Sequence, residues 1–139
     1  MTGPYFVDTN VLAYAEDRHD PRKQGVARDL IRSALRQKSY VVSTQVLAEF
    51  FAVAVGKLGL SAEGARRRVE IYAALDVFRI GVEDLLAAID LHRLFQLSIW
   101  DSLVFRVASA SGCRVLYSED LQSGRRVAGV EVVNPFAEP

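Results

Sequence analysis

Residues 5–12 read Tyr-Phe-Val-Asp-Thr-Asn-Val-Leu, and the arrangement of the whole chain follows from this stretch. Three apolar, β-prone residues precede Asp8, and a new apolar run begins at Val11. The pattern predicts a short buried strand that ends at Asp8, a tight turn, and a helix that begins at Asn10. Ligands of open α/β sheets bind at the carboxyl ends of strands. Asp8 is therefore either a helix cap or a ligand-facing residue, and Asn10 could cap the helix alone.

The composition indicates a soluble globular protein. The chain has 139 residues, of which 50% are hydrophobic and 24% charged, which suffices for one domain with a sizeable core. Seventeen basic and seventeen acidic residues give a formal net charge of zero. This balance argues against broad electrostatic binding of nucleic acid, but it allows a locally basic groove beside a locally acidic site.

Neither a disulfide nor a membrane segment is expected. The single cysteine, Cys113, has no intrachain partner and is predicted to be a buried small apolar residue. The N-terminus lacks the pattern of a signal peptide. The longest apolar run, residues 46–55, is interrupted by Glu49 and is too short to cross a bilayer. We therefore expect a cytoplasmic protein without a membrane anchor.

Short strands alternate with helices along the chain. Strands are predicted near residues 5–7, 40–42, 77–80, 114–117 and 130–133. Helices are predicted over 11–16, 21–37, 46–55, 82–95 and 99–111, another helix begins at Ser61, and a loop is predicted over 124–129. The helix over 46–55 is apolar almost all round, which predicts that it is largely buried. The alternation predicts an α/β fold: a single domain over residues 1–139, with a central, mostly parallel sheet of about five short strands and helices on both faces.

Three further acids occupy unusual positions. Glu49 lies within an apolar run, where a carboxylate must be protonated, paired with a buried arginine, or bound to a cation. Asp101 follows Ser98 by three residues, so it could instead complete a capping box. Asp120 follows the strand over 114–117 and could be an ordinary turn residue. Each acid alone is compatible with a purely structural role.

Together, the four acids predict a common site. Parallel strands end at the same edge of a sheet, and the helices that follow them begin there, so Asp8, Glu49, Asp101 and Asp120 should converge. Clustered carboxylates raise one another's pKa unless a cation lies among them. Oxygen ligands suit Mg²⁺ or Mn²⁺ rather than zinc. The two histidines, His19 and His92, are predicted to lie at the surface, and neither they nor Cys113 form a nucleophilic triad.

The motifs that carry these acids resemble those of the PIN domain family, and more narrowly those of VapC-type toxin ribonucleases. The resemblance spans essentially the whole chain and rests on Val7-Asp8-Thr9-Asn10-Val11-Leu12, Glu49, Trp100-Asp101-Ser102-Leu103 and Tyr117-Ser118-Glu119-Asp120-Leu121. It implies that Asp8, Glu49, Asp101 and Asp120 are catalytic and bind Mg²⁺ or Mn²⁺, and that Asn10 and Ser118 shape the pocket.

The resemblance also implies an activity and partners. The activity would be endoribonucleolytic hydrolysis by metal-activated water, which leaves 5′-phosphate and 3′-hydroxyl ends. The protein would be the toxin of a type II toxin–antitoxin pair, a homodimer held inactive by a VapB-like antitoxin. The alternative is a catalytically inactive PIN-like module that binds RNA or protein. A receiver-like domain is disfavoured because the last lysine is Lys57, and a haloacid-dehalogenase-type phosphatase would require an aspartate in place of Asn10.

Contacts with RNA phosphates are expected from Arg125 and Arg126, in the loop after Asp120. The run Arg66, Arg67 and Arg68 cannot face one way on a helix, so a solvated face is favoured.

Two side chains beside the acids have open roles. Trp100 could stack on a base, although a core position is favoured, and Glu119 could support the site, although a solvated position is favoured.

Overall fold

The computed structural model describes residues 3–138; Met1, Thr2 and Pro139 of the predicted 1–139 domain lie outside the described residues. Within the described range the chain forms six strands and six helices. The strands are β1 (Tyr5–Val7), β2 (Tyr40–Ser43), β3 (Asp76–Phe78), β4 (Val115–Tyr117), β5 (Arg126–Val127) and β6 (Val130–Val133). The helices are α1 (Thr9–Ala15), α2 (Pro21–Gln37), α3 (Thr44–Gly56), α4 (Ala62–Tyr72), α5 (Val82–Phe95) and α6 (Ile99–Ala110).

The strands form one sheet in the order β3-β2-β1-β4-β6-β5. Every pairing is parallel except that of β5 with β6. The predicted α/β class and the mostly parallel sheet are confirmed. The strand count was too low by one, because β5 lies inside residues 124–129, which were predicted to be a loop. This two-residue strand exists only through its antiparallel pairing with β6, which local sequence does not encode.

The order in which the chain adds strands to the sheet reverses direction between the neighbouring strands β1 and β4. The chain passes from β1 to β2 and β3 on one side, and from β4 to β6 on the other. Because crossovers between parallel strands are right-handed, α1–α4 and α5–α6 cover opposite faces of the sheet. The point at which such a sheet changes direction is where ligands of α/β proteins bind, at the carboxyl ends of the strands.

Polar side chains cap the starts of α2, α3 and α4 as the sequence predicts. Asp20 precedes Pro21, and its side chain accepts a hydrogen bond of 3.1 Å from the Lys23 backbone N–H. Ser43 caps α3 and Ser61 caps α4 in the same way. Such caps satisfy backbone donors that would otherwise have no partner.

The core lies between the sheet and both helix layers, and Cys113 belongs to it, as predicted. Burial raises the pKa of the Cys113 thiol to about 12. The helix over 46–55 was expected to be largely buried, but it is buried on one side only. Phe51 and Val55 are each 37% exposed, because α3 packs with only one side on the core. None of the helices within residues 3–138 has the length and apolarity needed to cross a bilayer.

Candidate active site

A cavity of about 450 Å³ opens where β1 and β4 end, at the reversal point of the sheet. Asp8, Glu49, Asp101 and Asp120 all line it. They arrive from four places in the chain: the end of β1, the second turn of α3, the first turn of α6 and the segment after β4. The fold thus brings to one cavity the acids that the sequence singled out.

Asp8 is nearly buried and is the N-cap of α1, which begins at Thr9 and not at Asn10 as expected. Its Oδ1 accepts a hydrogen bond of 2.8 Å from the Thr9 backbone N–H, and its Oδ2 accepts one of 2.9 Å from the Ser118 hydroxyl. Its pKa is raised from 3.8 to about 6, chiefly because burial disfavours the charged form. The two hydrogen bonds lower the pKa, while the charges of Glu49 and Asp120 raise it.

Asn10 joins α1 to the segment after β4. Its Nδ2 donates to the Ser118 hydroxyl at 3.0 Å, and its Oδ1 accepts from the Glu119 backbone N–H at 3.0 Å. The Ser118 hydroxyl also accepts from the Asp120 backbone N–H at 3.2 Å. Ser118 is fully buried and uses its one donor and both acceptor positions. Asn10 and Ser118 therefore fix the position of the segment that carries Asp120 relative to Asp8.

Both carboxylate oxygens of Glu49 have neutral partners. The Thr9 hydroxyl donates to Oε2 at 3.0 Å, and the Gln45 amide donates to Oε1 at 2.9 Å. Glu49 forms no ion pair with a basic group in the described part of the chain, so the alternative of a buried arginine partner is not found. The supporting roles of Gln45 and Thr9 were not predicted from the sequence. Gln45 lies four residues before Glu49 on the same face of α3, a spacing that could have indicated it.

Asp101 does not act as a cap. The Ser98 hydroxyl caps α6 by accepting from the Asp101 backbone N–H at 3.0 Å, and the Asp101 carboxylate has no hydrogen-bond or ion-pair partner among residues 3–138. The Asp120 carboxylate likewise has none within that range, and its residue is exposed. Two of the four carboxylates are thus free to bind a ligand in the cavity.

Two neighbouring side chains differ from the favoured expectations. Trp100 is 61% exposed and lines the cavity rather than the core, because it lies on the outer side of the first turn of α6. Glu119 is half-buried rather than solvated. It accepts from the Tyr14 hydroxyl at 2.6 Å and pairs with Lys23, and these hydrogen bonds hold its pKa below the usual value although burial acts in the opposite direction.

The two arginines that were predicted to contact RNA phosphates lie away from the cavity. Arg125 donates to the Phe95 carbonyl at 3.2 Å, and Arg126 pairs with Glu131 at 2.7 Å. Neither arginine lines the acidic cavity. Lys57 is the one basic residue that lines it within residues 3–138.

The donor set of the cavity fits a hard divalent cation. All four acids offer oxygen ligands, and Asp8 keeps a raised pKa that a cation would relieve. No three His, Cys, Asp or Glu side chains of residues 3–138 are close enough together to hold a metal ion by themselves. Mg²⁺ commonly binds through one or two carboxylates, retained waters and substrate phosphates, and this cavity could provide such a site.

Comparison with known proteins gives one family, and two of the solved structures with the same fold are described below. The PIN domain family model matches residues 5–129. VapC20 of Mycobacterium tuberculosis, described as a toxin that cleaves the sarcin-ricin loop, superposes with a TM-score of 0.66 at 21% identity, covering 82% of this chain and 88% of that chain. VapBC2 of Rickettsia felis, bound to a promoter DNA fragment, gives a TM-score of 0.68 at 17% identity and covers 92% and 96%. These identities show the shared fold alone.

A search of curated proteins found no match. The family match covers most of the chain, includes the segments that carry all four acids, and agrees with the sheet and the cavity described above. The chain therefore belongs to the PIN domain family.

Proposed function

We propose that this protein is an endoribonuclease that requires Mg²⁺ or Mn²⁺ and acts as the toxin of a type II toxin–antitoxin pair. The observation that carries the proposal is that Asp8, Glu49, Asp101 and Asp120 converge in one cavity. None of the four has a basic ion-pair partner among residues 3–138. The names of the two structural neighbours, a toxin that cleaves the sarcin-ricin loop and a VapBC complex, support the substrate class and the toxin role.

Carboxylates from this set of four would hold the cation together with retained waters and substrate phosphates, and neutral side chains would orient these carboxylates. When bound there, a divalent ion lowers the pKa of water and offsets the charge that develops on the phosphate. Ser118 and the Thr9 backbone N–H fix the Asp8 carboxylate, and Gln45 and the Thr9 hydroxyl fix that of Glu49. These hydrogen bonds set the ligand geometry before substrate arrives, which avoids reorganisation during the reaction.

Two protein partners belong to the proposal. A VapB-like antitoxin would hold the toxin inactive, as the VapBC2 complex suggests by analogy. A second copy of the chain would cover the outer face of α5, where Val82, Leu85, Leu86 and Ile89 recur at helical spacing and are 38–72% exposed. Such an apolar helix face is typical of a homodimer interface.

The activity is tested by incubating the purified protein with RNA, with and without Mg²⁺ or Mn²⁺, alongside two variants. Asp8→Asn should lower the cleavage rate by about two orders of magnitude or more, because it removes a charged metal ligand. The matched control Asp29→Asn removes an exposed carboxylate of α2, remote from the cavity, and should cut RNA like the parent. If the parent protein bound RNA and did not cut it with either metal, the inactive-module alternative would replace this proposal.

A further inference from the structure

A second cavity, of about 640 Å³, lies beside the acidic one and has the opposite charge. Four arginines line it: Arg18 after α1, Arg28 on α2, and Arg67 and Arg68 on α4. We call it the arginine cavity. These residues are up to fifty positions apart in the chain, so the charge cluster is a product of the fold.

The two cavities adjoin each other. Asp17 and Leu58 line both of them, so a chain-like ligand in one can continue into the other. A ligand that leaves the carboxylates on this side therefore meets arginines next.

The arginine cavity carries an excess of positive charge. Within residues 3–138 its lining holds these four guanidinium groups and two carboxylates, those of Glu16 and Asp17. Glu16 is already engaged, since it accepts from the Tyr72 hydroxyl and from Arg68 Nε, the latter at 3.2 Å. Asp17 accepts from the His19 backbone N–H at 2.9 Å. The cavity therefore attracts anions, in contrast to its neighbour.

The four arginines divide into two held in place and two available. Arg28 Nε donates to the Ala15 carbonyl at 2.8 Å, and Arg68 is paired with Glu16, so both guanidinium groups are fixed at the cavity wall. Arg67 has only a solvent-exposed pair with Glu63 at 3.9 Å, and Arg18 has no hydrogen-bond or ion-pair partner within residues 3–138. An incoming anion could bind Arg18 and Arg67 without breaking a buried contact.

We propose that the arginine cavity binds phosphate groups of the same RNA strand whose scissile phosphodiester lies in the acidic cavity. This inference rests on the proposed function. Guanidinium groups bind phosphate oxygens through paired N–H donors, and such contacts position a strand without reading its sequence. The acids of the first cavity repel RNA, and a chain with a formal net charge of zero has no overall positive charge to offset this repulsion. A local cluster of arginines offsets it instead. The RNA thus runs from the carboxylates past Asp17 toward α4.

The test measures RNA affinity against salt concentration for three proteins that share the Asp8→Asn change, which keeps the RNA intact. The Arg18→Gln, Arg67→Gln double variant should bind a single-stranded RNA of about twelve nucleotides roughly tenfold more weakly, because two charged contacts are lost. Its slope of log affinity against log salt should fall by about 1.4, close to 0.7 for each lost phosphate contact. The control Arg66→Gln removes an arginine of the same helix that pairs with Glu70 outside the cavity, and it should match the parent.

A second arm separates this inference from the proposed function. Here the two arginine changes are made without Asp8→Asn, so that the enzyme can cut RNA. This double variant should cut a dinucleotide, which is too short to reach the arginine cavity, at the parent rate. An affinity and salt slope equal to those of the parent would overturn the inference. If the same variant instead bound a co-expressed antitoxin less tightly, the cavity would belong to an acidic protein segment. If the parent bound RNA with the expected slope and cut nothing, the proposed function would fail while the phosphate site stood.

Discussion

The carboxylate of Asp8 has a different partner on each oxygen, and this explains how one residue can both cap a helix and line the cavity. Oδ1 accepts the Thr9 backbone N–H that a cap must satisfy, while Oδ2 binds the Ser118 hydroxyl. Asp84 makes an informative contrast. It is as buried as Asp8, at 8% exposure, but it is neutralised by Arg106 at 3.1 Å and lies outside the cavity. Of these two buried acids, the one with a basic partner lies outside the cavity, and the one without such a partner in the described part of the chain lines it.

The raised pKa of Asp8 predicts a pH-dependent stability in metal-free buffer. The folded protein holds this proton up to about pH 6, whereas the unfolded chain releases it near 3.8. The folded state therefore binds more protons between these values, and the free energy of unfolding should fall as pH rises through that window. The loss should be about 1–3 kcal/mol.

Urea denaturation from pH 4 to pH 8 in the presence of a chelator measures this loss. The fall should be absent in Asp8→Asn, present in the control Asp29→Asn, and smaller when Mg²⁺ replaces the chelator, because a bound cation stabilises the charged form. If the free energy of unfolding changed with pH in the same way for the parent and for Asp8→Asn, the predicted contribution of the Asp8 carboxyl would be contradicted.

At the scale of elements, the site depends on the connection between α1 and the segment after β4. The Ser118 hydroxyl contacts Asp8, Asn10 and the Asp120 backbone N–H, so one buried side chain holds the parts that carry two of the four acids. The strands β1 and β4 are adjacent and parallel, which brings these groups within reach of one another.

Ser118→Ala should therefore damage both stability and activity. The change leaves buried polar groups without their partner, which costs about 1–3 kcal/mol of unfolding free energy. Cleavage should fall by at least about tenfold in protein that is still folded, since the Asp120 segment loses its anchor. The control Ser111→Ala removes a single hydrogen bond, to the Val107 carbonyl at the end of α6, and should leave cleavage unchanged. Equal activity of the two variants in a denaturation and cleavage series would contradict this role for Ser118.

Elements with strong local signals could be predicted from sequence, and those that depend on distant partners could not. The pair Asp20-Pro21 and the bounds of α5 are encoded by caps and periodicity. β5 depends on pairing with β6, and the exposure of Trp100 depends on which side of α6 the core covers. The convergence of the four acids could be predicted because each follows a strand or lies in the first two turns of a helix at the same sheet edge. The arginine cavity could not, since Arg18 and Arg67 meet only in the fold.

At the scale of the whole molecule, an overall charge of zero conceals two adjoining cavities of opposite charge. Trp100, the one tryptophan of the chain, lies exposed at the acidic cavity, so its fluorescence can report binding there. The remaining feature at this scale is the apolar outer face of α5, which one copy of the chain leaves in contact with water.

The α5 face predicts self-association. Leu86→Glu places a charge on a side chain that is 57% exposed in one copy, so it should leave folding intact and shift a dimer to monomer in sedimentation equilibrium. The control Val55→Glu changes an exposed apolar residue of α3 and should keep the parent's mass. A parent protein that sediments as a monomer at all concentrations would rule out the interface.

The central claim, that four converging carboxylates support metal-dependent hydrolysis, is tested most directly by mapping the ends of RNA fragments made by the purified protein. No histidine lines the acidic cavity within residues 3–138, so no imidazole there can activate the ribose 2′-hydroxyl. We predict fragments with 5′-phosphate and 3′-hydroxyl ends that form only when Mg²⁺ or Mn²⁺ is present. Fragments with 2′,3′-cyclic phosphate ends, or cleavage that persists in excess chelator, would contradict the account.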